Sequence, residues 1–437
     1  MRPLLLALCL LTALPLAAEP FHPPLMRDFI GLNVHTVQFK PDLYRPVCRL
    51  LRDYHPVHWD TGDDSAHPTT FPLAANKVDW STLYGQWTKT GYEVDACLMF
   101  ESLKPNQWKD PARDARAYGE SFARYFGPSG QHPWVTSAEI GNEPAAFTPD
   151  QYRTLFQGMA QGLRAGDPKL KIATCAVMTG QPDKWSKPIS AVEGLTDLYD
   201  ILNIHSYAFK DQWPTWRRAH PEDPKIRHLK DIAALIDWRD KHAPAKPIWL
   251  TEFGYDSSTK QPDPKGQWKD WQGVTDEQQA QYTVRSLLLY SSMPLDRAYL
   301  YFFNDKDEPQ LHGASGITRN YHPKPAFHAL AHLYKTLGDY RFNRALKRDD
   351  ADYYCFEYTH ATKPNDRILV AWLPTTGQAP ARKSLPLGPI HSELITAQRM
   401  PLSGGPAPDV SYTAATDNAA IDLEVSESPT YLHIRAR

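Results

Sequence analysis

A repeated alternation of short apolar runs with longer amphipathic stretches constrains the fold of this chain more than any other feature of its sequence. The alternation extends from about Phe29 to Tyr340, and eight pairs can be counted. This pattern is typical of an α/β protein in which crossover helices join parallel strands, and eight pairs close most economically into a (β/α)8 TIM barrel. A doubly wound open sheet is the alternative, but it usually carries a glycine-rich turn after its first strand. The run from Gly31 to His35 has a single glycine, which favours the barrel.

The alternation also predicts where the individual elements lie. The predicted strands span residues 30–35, 57–60, 93–100, 135–140, 171–177, 201–205, 247–251 and 297–303. The predicted helices span residues 41–54, 80–90, 112–126, 149–165, 190–198, 228–242, 276–292 and 325–340. Because all the loops that follow barrel strands open on one face, the residues at the strand ends are expected to carry the chemistry.

The pattern changes after Tyr340. Short strands at residues 353–358, 367–373, 392–396, 420–425 and 430–434 are separated by Pro, Gly, Asp and Asn, which indicates a small C-terminal antiparallel β-sandwich. We therefore predict a barrel domain over residues 19–340 and a sandwich domain over residues 341–437. Two roles are open to the sandwich: a packing module fixed to the barrel, or an independent binding domain.

The N-terminus has the form of a secretory signal. Arg2 precedes an apolar run, and small residues end the segment at Ala18, so we predict a signal peptide over residues 1–18 and a secreted or periplasmic protein. A membrane anchor would need about 20 apolar residues, and no later segment is apolar enough to span a bilayer. Export permits disulfides, but two of the remaining cysteines, Cys97 and Cys175, lie in apolar strand-like runs where buried free thiols are common.

The charge balance excludes some classes of partner. The chain has 48 Lys and Arg against 50 Asp and Glu, and a formal net charge of −2. Because this near balance removes the electrostatic driving force for binding nucleic acid or anionic membranes, neither partner is expected. The oligomeric state stays open.

Two strand ends carry a carboxylate directly after a buried run. Glu143 follows strand four, and Glu252 ends strand seven. Side chains that point inward from these ends can meet across the mouth of the barrel, and two facing carboxylates suit glycosidic bond cleavage. A separation of about 5 Å gives a retaining enzyme, whereas roughly 6.5 to 9.5 Å admits a water and gives an inverting one.

The segments around these glutamates resemble a known group. Asn142-Glu143-Pro144 and Thr251-Glu252-Phe253-Gly254 are similar to the acid/base and nucleophile motifs of the clan A retaining glycoside hydrolases, and the trailing β-sandwich resembles family 39 and its relatives. The resemblance implies that Glu143 is the general acid/base, that Glu252 is the nucleophile and that Asn142 binds the sugar 2-hydroxyl. It also implies a β-glycoside poly- or oligosaccharide as substrate, with no metal and no other cofactor.

Other strand ends supply candidates for contacts to substrate. In the clan a His or Tyr at strand six holds the nucleophile, which makes His205 and Tyr207 candidates. The polar side chains at strands one, two and eight could either grip sugar hydroxyls or make structural hydrogen bonds: Asn33, His35, His58, Asp60 and Asn304. The clan commonly carries an Arg near the end of strand two and a Trp at the end of strand eight, but residues 57–60 contain no Arg and residues 301–304 contain no Trp.

Several of the predicted loops are rich in tryptophan. Sugar rings stack on such aromatic faces, so these residues could line an extended cleft, or each could anchor its own loop. The loop tryptophans are Trp108, Trp185, Trp213, Trp216, Trp268 and Trp271. Long loops favour a cleft and endo cleavage over a small exo pocket, although both modes stay open.

Two other functions compete with the glycosidase. A metal-dependent barrel hydrolase usually carries a His-x-His pair at strand one, but the sequence there supplies only His35. A carbohydrate-binding protein that had lost turnover would not need both Glu143 and Glu252. The glycosidase therefore remains the predicted function.

Overall fold

The computed structural model of the protein describes residues 21–35, 38–180, 185–377, 379–386, 392–414 and 420–436. The predicted signal peptide at residues 1–18 lies outside these ranges. Within them, no helix combines the length and the apolar character needed to cross a membrane.

Eight parallel strands form a closed ring, as the alternation predicts. Strand β1 pairs with both β2 and β8, and each strand between them pairs with its neighbours in sequence order. The strands are β1 (Ile30–Val34), β2 (Leu50–Pro56), β3 (Glu93–Met99), β4 (Ser137–Ile140), β5 (Lys171–Met178), β6 (Ile201–His205), β7 (Ile248–Phe253) and β8 (Arg297–Leu300). The (β/α)8 barrel is confirmed.

Helices occupy most of the connections and pack around the ring. Two of the longest start with capping boxes, in which Thr148 and Thr275 each accept a hydrogen bond from the backbone N–H three residues later. The α-helices are α1 (Met26–Phe29), α2 (Pro41–Tyr44), α3 (Val57–Thr61), α4 (Trp80–Lys89), α5 (Pro111–Phe126), α6 (Pro149–Gly166), α7 (His228–His242), α8 (Asp276–Ser291) and α9 (Pro325–Leu337).

Three predicted elements of the barrel are wrong. The helix expected over residues 41–54 ends after one turn at Tyr44, and the second strand runs from Leu50 to Pro56 rather than over residues 57–60, which are helical. Charged side chains in this segment resemble the polar face of a helix, but in the structure they are buried among partners from other strands. Between β5 and β6 the expected helix over residues 190–198 is replaced by a 3-10 turn at Ile189–Ala191 and further turns.

The C-terminal region forms two antiparallel sheets, as expected for a β-sandwich. Its strands are β9 (Tyr340–Arg348), β10 (Tyr354–His360), β11 (Asp366–Trp372), β12 (Ala381–Pro386), β13 (Ser392–Arg399), β14 (Tyr412–Ala414), β15 (Ala420–Val425) and β16 (Thr430–Ala436). The larger sheet has the order β9-β10-β11-β16-β13, and the smaller one has the order β12-β15-β14. Strands β9, β12 and β14 were not predicted, because many of their residues are polar and most are partly or fully exposed.

Strand β11 shows how the larger sheet is held. Val370 and Trp372 belong to the core that is shared with the barrel, whereas Leu369 and Ala371 face a second core between the two sheets. This alternation is the two-residue period of a strand that is buried on both faces. The Trp372 indole also donates a 2.7 Å hydrogen bond to Glu222 of the barrel, so the larger sheet packs directly against the barrel.

Candidate active site

The two predicted glutamates lie together at the carboxyl-terminal mouth of the barrel. One carboxylate oxygen of Glu143, one of Glu252 and a ring nitrogen of His205 all lie within 4.8 Å of one another. Both glutamates line a cavity of about 480 Å³, called here the first cavity. Its other walls are His35, Tyr54, Pro56, Trp59, Met99, Asn142, Tyr301 and His312. The volume falls within the range of small-molecule sites.

A tight turn after β4 places Asn142 and Glu143. Gly141 has a φ of +83°, and a Cβ atom there would lie 2.5 Å from the Phe100 ring. Glycine meets both requirements, since it tolerates positive φ and has no side chain. The strand therefore ends abruptly, and the next two residues turn toward the mouth of the barrel.

Glu101, which is not among the predicted site residues, stabilises this turn by hydrogen bonds to its backbone. Its Oε1 accepts hydrogen bonds from the backbone N–H groups of Asn142 (2.7 Å) and Glu143 (3.2 Å). Burial raises the pKa of Glu101 to about 7, although these two N–H donors favour its charged form. Glu101 directly follows the predicted strand over residues 93–100, and this position could have marked it as a site residue. The residues around it, however, match no catalytic motif.

Three side chains donate hydrogen bonds to the carboxylate of Glu252. Arg52 Nη1 (3.0 Å) and the Tyr54 hydroxyl (2.6 Å) donate to Oε1, and the Tyr207 hydroxyl (2.8 Å) donates to Oε2. Burial favours the neutral acid, but His205, Arg52 and the two tyrosines outweigh it and lower the pKa of Glu252 to about 2. Glu252 is therefore ionised at neutral pH, and Oε2 accepts fewer of these bonds than Oε1.

Arg52 is the main cation of the site. It is fully buried, forms a bidentate pair with Glu139 (2.8 Å for both bonds), and also donates to Asn33 and Asn142 (2.8 Å each). Strand β2 therefore carries an arginine beside the nucleophile candidate. Arg52 is not among the residues predicted for the site, because the second strand was predicted over residues 57–60, after this position.

Replacing Arg52 with alanine is expected to destabilise the protein by about 3–5 kcal/mol, since it leaves the buried Glu139 without its ion partner. The loss of positive charge also raises the pKa of Glu252 from about 2 toward its ordinary value of 4.5, so the acid limb of the activity profile should move to higher pH. Chemical denaturation and a pH–rate profile measure these two effects.

Arg49 provides a matched control for this variant. Its ion pairs with Asp28 and Glu93 are partly exposed, so Arg49→Ala should change stability by about 1 kcal/mol or less and leave the acid limb in place. Equal losses of stability in the two variants, or an unmoved acid limb in Arg52→Ala, would contradict the assigned role.

His205 links the two glutamates through a chain of ordered hydrogen bonds. The Thr251 hydroxyl donates to the amide oxygen of Asn203 (2.6 Å), so it must accept from His205 Nε2 (3.1 Å). Nδ1 then faces Glu143 Oε1 at 2.9 Å and Glu252 at 3.5 Å. Burial disfavours the imidazolium, but the charges of Glu252 and Glu143 outweigh it and raise the pKa of His205. His205 and Glu143 can therefore share one proton.

The two candidates predicted at strand two, His58 and Asp60, lie in α3 instead, and neither is among the described walls of the first cavity. Asp60 is buried, and its carboxylate accepts hydrogen bonds from Trp80 Nε1 (2.8 Å) and the Tyr118 hydroxyl (2.7 Å) and pairs with His55 (2.7 Å). This network joins α3, α4 and α5, which favours the structural alternative for Asp60. The backbone of His58 donates to Ser102, and its ring is not among the described walls of the cavity.

The candidates on strands one and eight also have partners within the protein. Asn33 donates to the Thr251 carbonyl (2.9 Å) and accepts from Arg52, so it holds the arginine and is fully buried. Asn304 is buried, and its side-chain oxygen accepts from the Thr318 hydroxyl at 3.0 Å. These contacts favour supporting roles, whereas His35 lines the cavity itself.

The loop tryptophans lie apart from the first cavity. Trp108 and Trp271 are buried, which favours loop anchoring, and Trp216 is half-buried against Phe209. Trp213 is 57% exposed and forms an edge-to-face pair with Trp268 at 6.0 Å. Trp185 is also exposed, at 39%. Among the described walls of the first cavity, the tryptophan is Trp59.

Glu143, His205 and Glu252 could also serve as ligands of a metal ion. A cation bound there would lie next to the Arg52 guanidinium, which is 3.0 Å from Glu252. It would also compete with the hydrogen bonds from Tyr54 and Tyr207 to the same carboxylate. These contacts suit a free carboxylate better than a metal ligand.

Comparison with known proteins shows similarity of fold. No family model and no curated protein matches the sequence. A family 39 glycoside hydrolase from Bacteroides cellulosilyticus WH2 superimposes with a TM-score of 0.67 at 16% identity, over 95% of this chain and 81% of that one. CelM2, a bifunctional glucanase-xylanase from a metagenome library, gives 0.65 at 11% identity, over 95% and 97%.

A third similar structure is AbfB, a family 51 α-L-arabinofuranosidase from Bifidobacterium longum, with a TM-score of 0.62 at 12% identity over 96% and 98% of the two chains. The similarity in each case includes the C-terminal sheets, since almost the whole chain is covered. The predicted resemblance to clan A glycoside hydrolases, family 39 among them, is thus confirmed as a resemblance of fold.

Proposed function

We propose that this protein is a retaining glycoside hydrolase in which Glu252 is the nucleophile and Glu143 the general acid/base. The observation that carries the proposal is the pair of carboxylates within 4.8 Å of each other at the wall of one cavity. This bound on the distance between one oxygen of each carboxylate agrees with the roughly 5 Å separation in retaining enzymes and is shorter than the roughly 6.5 to 9.5 Å of inverting ones.

The environments of the two glutamates support opposite roles. The hydrogen bonds from Arg52, Tyr54 and Tyr207 keep Glu252 ionised, so it can attack the anomeric carbon. Glu143 lies beside His205, and a proton held by this pair can pass to the leaving oxygen as the glycosidic bond breaks. The products of this step are the free leaving group and a glycosyl ester on Glu252.

Hydrolysis of the ester reverses the role of Glu143. Formation of the ester removes the negative charge of Glu252, which otherwise raises the pKa of His205. The His205–Glu143 pair then holds a proton less tightly, and Glu143 can take one from the attacking water. The oxygen of Asn142 accepts from Arg52, which leaves its amide N–H groups to donate to the sugar 2-hydroxyl.

The proposed substrate is a β-linked oligo- or polysaccharide.

The proposed site of action is outside the cytoplasm. The proposal of export rests on the signal-like segment at residues 1–18. N-terminal sequencing of the protein recovered from its native host tests this part, because cleavage after Ala18 would give a chain that begins at Glu19. An uncleaved N-terminus would contradict export by this signal.

A panel of aryl glycosides and polysaccharides tests the activity. The panel should include α-L-arabinofuranosides, because AbfB is a structurally similar arabinofuranosidase. We expect the first sugar product to keep the anomeric configuration of the substrate, as followed by NMR before mutarotation. An inverted first product would contradict the double displacement, and loss of activity on chelation would favour the metal-dependent alternative.

A further inference from the structure

A second cavity adjoins the first on the side of strands β1 and β8. It has a volume of about 400 Å³, and its walls are Gln38 and the loop after β8, together with three residues that also line the first cavity. The shared residues are His35, Tyr301 and His312. The two cavities are therefore neighbours that have these three residues in common.

Three residues of the second cavity each keep a buried polar atom for which the described part of the chain offers no hydrogen-bond partner. These atoms are His35 Nε2, Gln38 Oε1 and His312 Nδ1. Buried polar atoms are normally paired, so a cluster of such atoms in one cavity wall needs an explanation. A ligand rich in hydroxyl groups would supply both donors and acceptors to them.

The chemistry of this wall suits an uncharged sugar. Burial lowers the pKa of both His35 and His312 to about 4, so each neutral ring offers one donor and one acceptor at neutral pH. The ring of Tyr301 adds an aromatic surface of the kind on which sugar rings stack. Three charged residues line the same cavity: Lys306 and Glu308 have opposite charges, and Asp305 is paired with Lys324 at 3.2 Å. The wall therefore favours neither an anionic nor a cationic ligand.

We propose that the second cavity is a subsite for a second, uncharged sugar unit on the glycone side of the cleaved bond. The inference rests on the proposed function. The leaving oxygen must contact the general acid Glu143, so the leaving group extends past Glu143. Among the described residues, Glu143 lines the first cavity and is not part of the second, so a sugar in the second cavity lies away from the leaving group.

Aryl glycosides with the same leaving group test this subsite. For each sugar of the panel, kcat/KM is measured for the aryl β-monoside and for the aryl β-bioside, and the first sugar released is identified. For the preferred sugar, we expect kcat/KM to be about tenfold or more higher for the bioside than for the monoside. The intact disaccharide should be released from the bioside. The ratio of the two kcat/KM values, bioside to monoside, then measures the contribution of the second cavity. Gln38→Ala should lower this ratio, and so should Gln310→Ala, a second variant in the same wall.

Gln131→Ala, at an exposed glutamine on another face, is the control and should leave the ratio unchanged. Three results would overturn the subsite. They are equal kcat/KM values for the two substrates, release of monosaccharide from the bioside, and an unchanged ratio in both Gln38→Ala and Gln310→Ala when these variants are folded. Absence of hydrolysis with every monoside and bioside would instead overturn the proposed function itself.

Discussion

Glu252→Ala is expected to lower kcat/KM by roughly 10⁴-fold or more, because it removes the atom that forms the covalent intermediate. The side chain is almost fully buried and accepts hydrogen bonds from Arg52, Tyr54 and Tyr207. Steady-state kinetics on the best aryl glycoside of the panel measure the loss.

Rescue by azide identifies the role of the missing group. In Glu252→Ala, a small anion can occupy the space of the carboxylate and attack the anomeric carbon from the same face. We therefore expect a glycosyl azide whose configuration is inverted relative to the substrate. Glu193→Ala, at an exposed glutamate on the barrel, should retain full activity and form no azide adduct.

Two results would contradict the assignment of Glu252. One is substantial turnover in the alanine variant, and the other is an azide product with retained configuration. Because the variant leaves Arg52 paired with Glu139, we expect it to stay folded. Thermal denaturation separates loss of chemistry from loss of structure.

Glu143→Ala is expected to show an effect that depends on the leaving group. General acid catalysis contributes about 10²–10⁴-fold, so substrates with poor leaving groups should lose activity by that amount. Dinitrophenyl glycosides need little protonation, and they should still form the glycosyl ester on Glu252. A rapid burst followed by slow turnover is expected for them, because no base then activates water.

Azide again gives the discriminating observation. In Glu143→Ala it should attack the glycosyl ester in place of water and give an azide of retained configuration, the opposite of the Glu252→Ala result. Glu143→Gln keeps the shape of the side chain and serves as the matched variant. A uniform loss with all leaving groups, without a burst, would contradict the acid/base role.

The sequence predicted the barrel and the two carboxylates at its mouth because both depend on local patterns. Hydrophobic periodicity marks strands and helices within a few residues, and a carboxylate directly after a buried strand marks the mouth of a barrel. Glu143 and Glu252 were identified in this way, and the structure brings them within 4.8 Å. Their roles remain predictions that the variants above test.

The errors at strand two and at Asp60 have a common physical cause: a buried charged residue cannot be distinguished from an exposed one in the sequence alone. Arg52 and Asp53 in β2 resemble the polar face of a helix, and the strand was therefore placed too late. Arg52 is buried because Glu139 and Glu252 neutralise it, and these partners come from β4 and β7. In the same way, partners from α4 and α5 place Asp60 in a structural network.

By itself, the sequence determined the class of fold, the order of the barrel elements and the two carboxylates at the mouth, because each follows from residue spacing along a single segment. The sequence also named His205 and Tyr207 as candidate partners of the nucleophile. The tertiary structure alone added Arg52 and Tyr54 as donors to Glu252 and decided which polar side chains serve structure. Arg52, Tyr54, Glu101 and His205 act across strands that are distant in the chain. Electrostatic and hydrogen-bond energies depend on distances of a few ångströms, and those distances exist only after the barrel has closed.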